Sequence, residues 1–229
     1  MNFNHPVRSI RLERPMAILL TFLILASAAS LADDRAFDDQ LLDIQHRWAE
    51  ANYHETGKAQ KKAFEDLLTD ARAFAQANPD RAEGLIWQGI VASTYAGVKG
   101  PFGAMSLANE ARDALMAAER IDPDALDGSV YTSLGTLYYK VPGGIIGFGD
   151  KDLARRYLEK AVSANPDGID SNYFFAEFLF EQEEYAAARD ALLKAETAPA
   201  RASRPLADAG RHQEITALMR EINKKIGRS

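Results

Sequence analysis

From position 33 onward, apolar residues recur every three or four positions in stretches separated by short breaks rich in Pro, Gly, Asn and Asp. That period marks amphipathic helices, because residues three and four apart share one face. Phe37, Leu41, Ile44 and Trp48 form a first stripe over 33–52, and Phe64, Leu67, Leu68, Ala71 and Phe74 a second over 59–78. Leu85, Gly89 and Ala92 begin a third, and Ala111, Leu115 and Ala118 a fourth. Tyr131, Leu134, Gly135 and Tyr138 predict a fifth helix, and Ala154, Leu158 and Ala161 a sixth. A seventh follows from Asp170, and Ala188, Leu192 and Ala195 mark an eighth. After an expected loop over 200–205, Ile215, Leu218, Met219 and Ile222 predict a last helix over 211–226. The stops are explicit: Asn78-Pro79-Asp80, Asp122-Pro123-Asp124 and Asn165-Pro166-Asp167. Proline cannot continue a helix and restricts the residue before it.

The helices come in pairs, and the pairs repeat. Ala111, Leu115, Ala118 and Pro123 match Ala154, Leu158, Ala161 and Pro166 step for step. Ala188, Leu192 and Ala195 repeat the pattern, with Pro199 slightly early. Gly89, Gly135 and Ala176 stand at the matching place in the preceding helix, where a small residue lets two helices pack closely. An unrelated bundle with alanine-rich faces would not keep three units in register. The run Tyr131-x2-Leu134-Gly135-x2-Tyr138, followed by Ala154-x3-Leu158-x2-Ala161-x4-Pro166, resembles the tetratricopeptide repeat, a helix–turn–helix unit of about 34 residues. The resemblance implies an all-α solenoid of three to four helix pairs with a C-terminal capping helix. Its units are a degenerate pair over about 37–79, then 82–123, 128–166 and 170–199, with the cap at 207–229. Repetition has a physical reason: one pair cannot bury its own apolar face, and stacked neighbours can.

Two units are longer than the third. Ala176 and Ala188 are twelve positions apart, whereas Gly135 and Ala154 are nineteen apart and Gly89 and Ala111 twenty-two. The extra residues fall in the turn inside the pair and carry Gly100-Pro101-Phe102-Gly103 and Gly147-Phe148-Gly149. Equivalent insertions in a solenoid emerge on one edge. Loops 97–103 and 141–149 are therefore expected side by side, with Phe102, Ile145, Ile146 and Phe148 forming the rim of a binding site or folding back to plug the core.

Residues 1–32 read as a secretory signal peptide: Arg8, Arg11 and Arg14, then an apolar run from Met16 to Leu25, then Ser30-Leu31-Ala32. The expected cut falls before Asp33, with a cut after Ala28 and an uncleaved anchor as alternatives. Cleavage makes the remaining domain, 33–229, periplasmic or secreted, with no stable membrane anchor. The chain has no cysteine, which excludes disulfides, thiolate metal sites and a lipid-bearing cysteine. Removing 1–32 takes three arginines and Glu13 from 27 basic and 33 acidic residues and leaves a net charge of −8. No basic cluster longer than pairs such as Lys61-Lys62 and Lys224-Lys225 stands out, so no nucleic acid is expected as a partner.

Chemistry is sparse. Gly143-Gly144-x2-Gly147-x-Gly149 lacks a preceding strand and a following Gly-Lys-Ser/Thr, and Asp150 puts a negative charge where a phosphate would sit. His46, Glu50 and His54 lie four apart on a helix but lack the His-Glu-x2-His spacing of a metal site. His212 falls near the start of the last helix, and no Gly-x-Ser-x-Gly elbow is present. No catalytic residue, metal or cofactor is expected, and the protein reads as non-enzymatic. The first helices of successive tetratricopeptide units line a concave groove. The resemblance therefore implies a groove of Thr132, Thr136, Tyr139, Lys140, Tyr173, Glu177, Phe180 and Glu181, continued by Ile86, Ile90 and Thr94. For the aromatics, groove lining and packing on the next pair both stay open.

The leading expectation is an exported interaction module for a peptide or protein partner. The alternative is a small-molecule-binding accessory protein. The Pro-Gly turn at 142–143, its Gly-Phe-Gly-Asp continuation at 147–150 and the Ala/Leu helix after it are similar to the periplasmic helical-repeat component associated with tripartite (TRAP-type) uptake transporters. An open groove would favour a peptide, and an enclosed cavity with convergent polar groups a small ligand.

Overall fold

The computed structural model describes Met1 and residues 15–227, with side chains from Asp33 onward. The arginines of the signal-peptide reading and the side chains of its apolar run lie outside the described residues. Met1–Gln40 and Leu41–Ser229 are separate compact units, and the packing and the site described below belong to the second.

Among the described residues the chain is all-α. Its helices are α1 (Pro15–Tyr53), α2 (Gly57–Ala77), α3 (Ala82–Lys99), α4 (Pro101–Ile121), α5 (Ala125–Lys140), α6 (Lys151–Ala164), α7 (Ile169–Glu181), α8 (Tyr185–Glu196) and α9 (Pro205–Ile226). They form a solenoid of tetratricopeptide-like pairs: α3 packs on α4, α5 on α6 and α7 on α8, with α2 stacked on α3. The end of α1 joins α2 through Arg47, whose Nη2 lies 2.7 Å from Asp70 Oδ2, and through Gln60 Nε2, which donates to Ala51 O at 3.0 Å.

The repeated triplets are the core. Ala111, Leu115 and Ala118, then Ala154, Leu158 and Ala161, then Ala188, Leu192 and Ala195 are all buried. Each leucine so buried stabilises the stack by about 1.5–3 kcal/mol. The proline stops act as expected: Asn78, Asp122 and Asn165 end α2, α4 and α6.

The structure corrects two boundaries. The expected loop at 97–103 is shorter: α3 runs to Lys99, Gly100 turns at φ 88°, and from Pro101, where α4 begins, the backbone becomes regularly helical only after Gly103. The extra residues lengthen the two helices, because proline at the first helical position pre-sets φ and needs no N–H partner. Phe102 and Gly103 only kink the first turn of α4. The insertion at 141–149 is a true loop. It closes through a bridge between Gly143 and Gly149, and Asp150 then caps α6, its Oδ1 accepting from Leu153 N at 2.9 Å. The second correction is α9, which begins at Pro205, six residues before the last helix was expected to start.

A left-handed turn opens α5, with Leu126, Asp127 and Gly128 at φ 52°, 56° and 71°. Side-chain-bearing residues rarely adopt that conformation. The chain's C-terminal part then returns to the end of α1. His46 Nε2 lies 2.6 Å from Ser203 O, and α9 lays Gly210 against the ring of Tyr53.

Candidate functional site

The first helices of the pairs form one wall of a cavity of about 590 Å³, and the returning segment 199–211 forms the other. On α3, Trp87, Ile90 and Thr94 reach it, and on α5, Thr132, Thr136 and Lys140. Spacings of three and four put each set on one helix face. The end of α1 adds Gln45, Trp48 and Tyr53, α7 adds Asp170, Ser171 and Phe174, and the returning segment adds Arg201, Arg204 and Arg211.

Aromatic groups build one end. Trp48 and Trp87 meet edge to face, 6.1 Å apart between ring centres, and Trp48 Nε1 donates to Thr94 Oγ1 at 3.0 Å. The Arg204 guanidinium lies 5.1 Å from the Trp87 ring. Burial pushes the Tyr53 hydroxyl up to about 12, so it stays protonated at neutral pH.

Charge builds the other end around Asp170. Its Oδ2 accepts from Arg201 Nη1 at 2.7 Å, and its Oδ1 accepts from Arg211 Nε at 2.9 Å. Arg201 also holds Asp208, donating from Nε to Oδ1 and from its backbone N to Oδ2, both at 2.7 Å. Arg211 pairs with Glu214 and lies over Tyr173 and Phe174 at 4.4 and 4.5 Å. Burial alone would raise the Asp170 pKa. The charges of Arg211 and Arg201 more than offset that and hold its carboxyl well below the usual carboxylate range. This cluster ties α9 and the segment before it to α7, so the wall they form is fixed by part-buried ion pairs.

Of the sequence-predicted groove residues, Thr132, Thr136 and Lys140 line the cavity, together with Ile90 and Thr94. Lys140 is held at its edge by Glu177 and Glu181, at 3.0 and 2.9 Å. The others lie elsewhere. Tyr139 is buried between α5 and α7, where its hydroxyl donates to Glu177 Oε2 and its ring meets Phe178. Tyr173 packs under Arg211, Phe180 against Tyr185, and Ile86 in the core. A helix packed between two neighbours offers the groove one narrow face, and on α7 that face carries Asp170, Ser171 and Phe174.

The rim residues do not line the cavity. Phe102 is 93% exposed, Ile146 75%, and Ile145 fully. Phe148 is half-buried between Tyr138, at 5.7 Å, and the Arg112 guanidinium, at 4.6 Å. Loop 141–149 leans on α4, where a Cβ at Gly147 would stand 2.9 Å from Met105 Cε. His46 is taken up by Ser203 O, and His54 Nδ1 lies 2.8 Å from Glu50 Oε2. Sequence reasoning missed Trp48, Trp87 and Phe174 among the lining residues, and the arginines at 201, 204 and 211. The arginines fall after the last repeat, where no periodic signal points at a groove.

No family model and no curated protein matches the chain. Among solved structures it is similar to a crystal structure of MamA at 19% identity, covering 75% of this chain and 93% of that one, with a TM-score of 0.42. A second MamA crystal structure gives 18%, with 82% and 92% covered and a TM-score of 0.41. PilF of Pseudomonas aeruginosa gives 16%, with 83% and 92% covered and a TM-score of 0.35. At these values the likeness carries no functional argument.

Proposed function

We propose that this chain is an exported, non-enzymatic helical-repeat protein that binds a small organic ligand in its concave cavity. Stacked helix pairs work by presenting a concave binding surface. The observation that carries the narrower reading is the crossing of that surface by segment 199–211, through His46 with Ser203, Tyr53 with Gly210 and Arg204 with Trp87. What remains is a bounded space of about 590 Å³, within the range of about 300–1,000 Å³ usual for small-molecule sites. Its lining sets aromatic faces beside hydroxyl groups, the mixture that holds and orients such ligands. An extended peptide would have to part the two ends of the solenoid to lie along the groove.

A protein partner remains the second reading, on a different surface. Phe102, Ile145 and Ile146 stand exposed in the two Phe-Gly segments, outside the cavity.

The chain's only two tryptophans, Trp48 and Trp87, both line the cavity, so their emission reports its occupancy. Native mass spectrometry of the exported protein is expected to show a non-covalent adduct of small-molecule mass. Stripping the adduct by unfolding and refolding should shift the tryptophan emission. Adduct-free protein whose emission responds only to peptides would replace this reading with the peptide-groove one.

Export rests on the Arg8–Ala32 pattern. Among the described residues, no helix is long and apolar enough to cross a membrane. Intact mass is expected to place the mature N-terminus at Asp33, in the osmotic-shock fraction. Retention of 1–32 with pelleting in the membrane fraction would overturn it.

A further inference from the structure

We infer that the cavity takes a monoanionic ligand, a carboxylate carried on an apolar or aromatic body, and that Arg204 receives the carboxylate. The inference rests on the small-ligand reading above and names the ligand's chemistry.

Among the described residues, four buried side-chain polar atoms have no hydrogen-bond partner: Tyr53 Oη, Asn172 Oδ1, Gln182 Nε2 and Arg204 Nε. Of these, Arg204 lines the cavity, and its guanidinium can only donate. Buried polar groups are nearly always paired, so an unpaired guanidinium nitrogen marks Arg204, on the cavity wall, as a side chain short of an acceptor.

The charges sharpen the point. Arg201 and Arg211 use both oxygens of Asp170, and Asp208 and Glu214 besides. Among the described residues no carboxylate comes within ion-pairing distance of Arg204. Asp127 and Asp167 also line the cavity, but both are exposed and neither pairs with it. Burial and the neighbouring Arg201 charge push the Arg204 pKa down, and the more distant charges of Asp170 and Asp208 offset this only in part. The guanidinium lies over the Trp87 ring, 5.1 Å from its centre, a contact that uses none of its N–H donors in a hydrogen bond. A carboxylate fits that planar fork, often with two parallel bonds.

The rest of the cavity selects the body. Trp48, Trp87 and Phe174 supply aromatic surface, and Thr132 and Thr136 supply hydroxyl groups. One unengaged guanidinium matches one negative charge. A phosphate dianion would need further free cationic donors, and the other two arginines are engaged. The anion's partner belongs to the returning segment and the apolar walls to the repeats, so a bound ligand bridges the two.

The test is calorimetric titration of the exported protein with 4-phenylbutanoate and with its neutral counterpart, 4-phenylbutanamide. The carboxylate is expected to bind at least tenfold more tightly. Arg204→Gln should reduce that preference to within about twofold, and Arg204→Lys should keep part of it. Circular dichroism checks that both variants fold. Equal binding of the two probes to the wild-type protein overturns the carboxylate while leaving the cavity as a ligand site. A preference that survives in Arg204→Gln removes Arg204 from the role. Binding of neither probe rejects both the cavity reading and the inference built on it.

Discussion

Leu158 occupies the space a side chain at Gly135 would need: a Cβ there would stand 2.6 Å from Leu158 Cγ and 3.2 Å from its backbone N. One repeat earlier, a Cβ at Gly89 would stand 2.6 Å from Leu115 Cγ. In both pairs a glycine on the first helix receives the leucine of the second. Alanine at either position gains about 1 kcal/mol of helix propensity, but the overlap reaches Cγ rather than a mobile chain end. Gly135→Ala and Gly89→Ala should each lose about 1–2 kcal/mol net through overpacking. Gly97, also helical, has nothing within 4 Å of its Cβ position, so Gly97→Ala should be neutral or stabilising. Thermal denaturation checks the sign, and a shared direction for all three variants would show that close packing is not what selects the glycines.

Acid should weaken the fold through Asp170. Its folded-state pKa lies below the ordinary value, mainly because Arg211 and Arg201 outweigh burial. The unfolded chain therefore takes up the proton first as pH falls, and stability rises with pH in that range. The contribution is complete above the ordinary aspartate pKa of about 4 and is lost progressively below it. Asp170→Asn should cost about 2 kcal/mol at pH 7, the scale of losing charge-assisted hydrogen bonds at a part-buried site. The gap between variant and wild type should narrow steadily toward pH 2. Urea unfolding at several pH values measures it, and a gap independent of pH would place the charge coupling elsewhere.

Gly210 is where α9 meets the first helix. A Cβ there would overlap the Tyr53 ring, and that ring is fixed by an edge contact with Trp48. Gly210→Val should cost about 1–3 kcal/mol and loosen the returning segment. It should also red-shift the Trp48 and Trp87 emission as water enters. Unchanged emission together with unchanged stability would mean that this contact does not hold the cavity closed.

The exposed rim should be separable from the fold. Phe102→Ala and Ile145→Ala should change stability by less than about 0.5 kcal/mol, as exposed substitutions do. Phe148→Ala removes a ring packed on Tyr138 and Arg112 and should cost about 1–2 kcal/mol. Ligand-induced changes in tryptophan emission should survive Phe102→Ala, because that residue lies outside the cavity. Loss of the emission response in that variant would return the rim to the site.

Amino-acid order alone determined the helices, their pairing and their repetition. Those features depend on neighbours within a turn or two: the Ala-Leu-Ala spacing, the small residue facing it, and proline at the stops. The groove positions Thr132, Thr136, Ile90 and Thr94 were legible for the same reason, because each repeat turns the same helix face inward. Gly100-Pro101 was ambiguous, since the same two residues can open a loop or begin a helix, and the length of α3 and α4 settled it. The cavity was decided only in three dimensions. His46 and Ser203 are 157 positions apart, and Arg204 reaches Trp87 across three repeats. No local period encodes such contacts. They arise because segment 199–211 buries Arg211 and Asp208 in ion pairs with residues of α7 and its own neighbours, which fixes it across the groove.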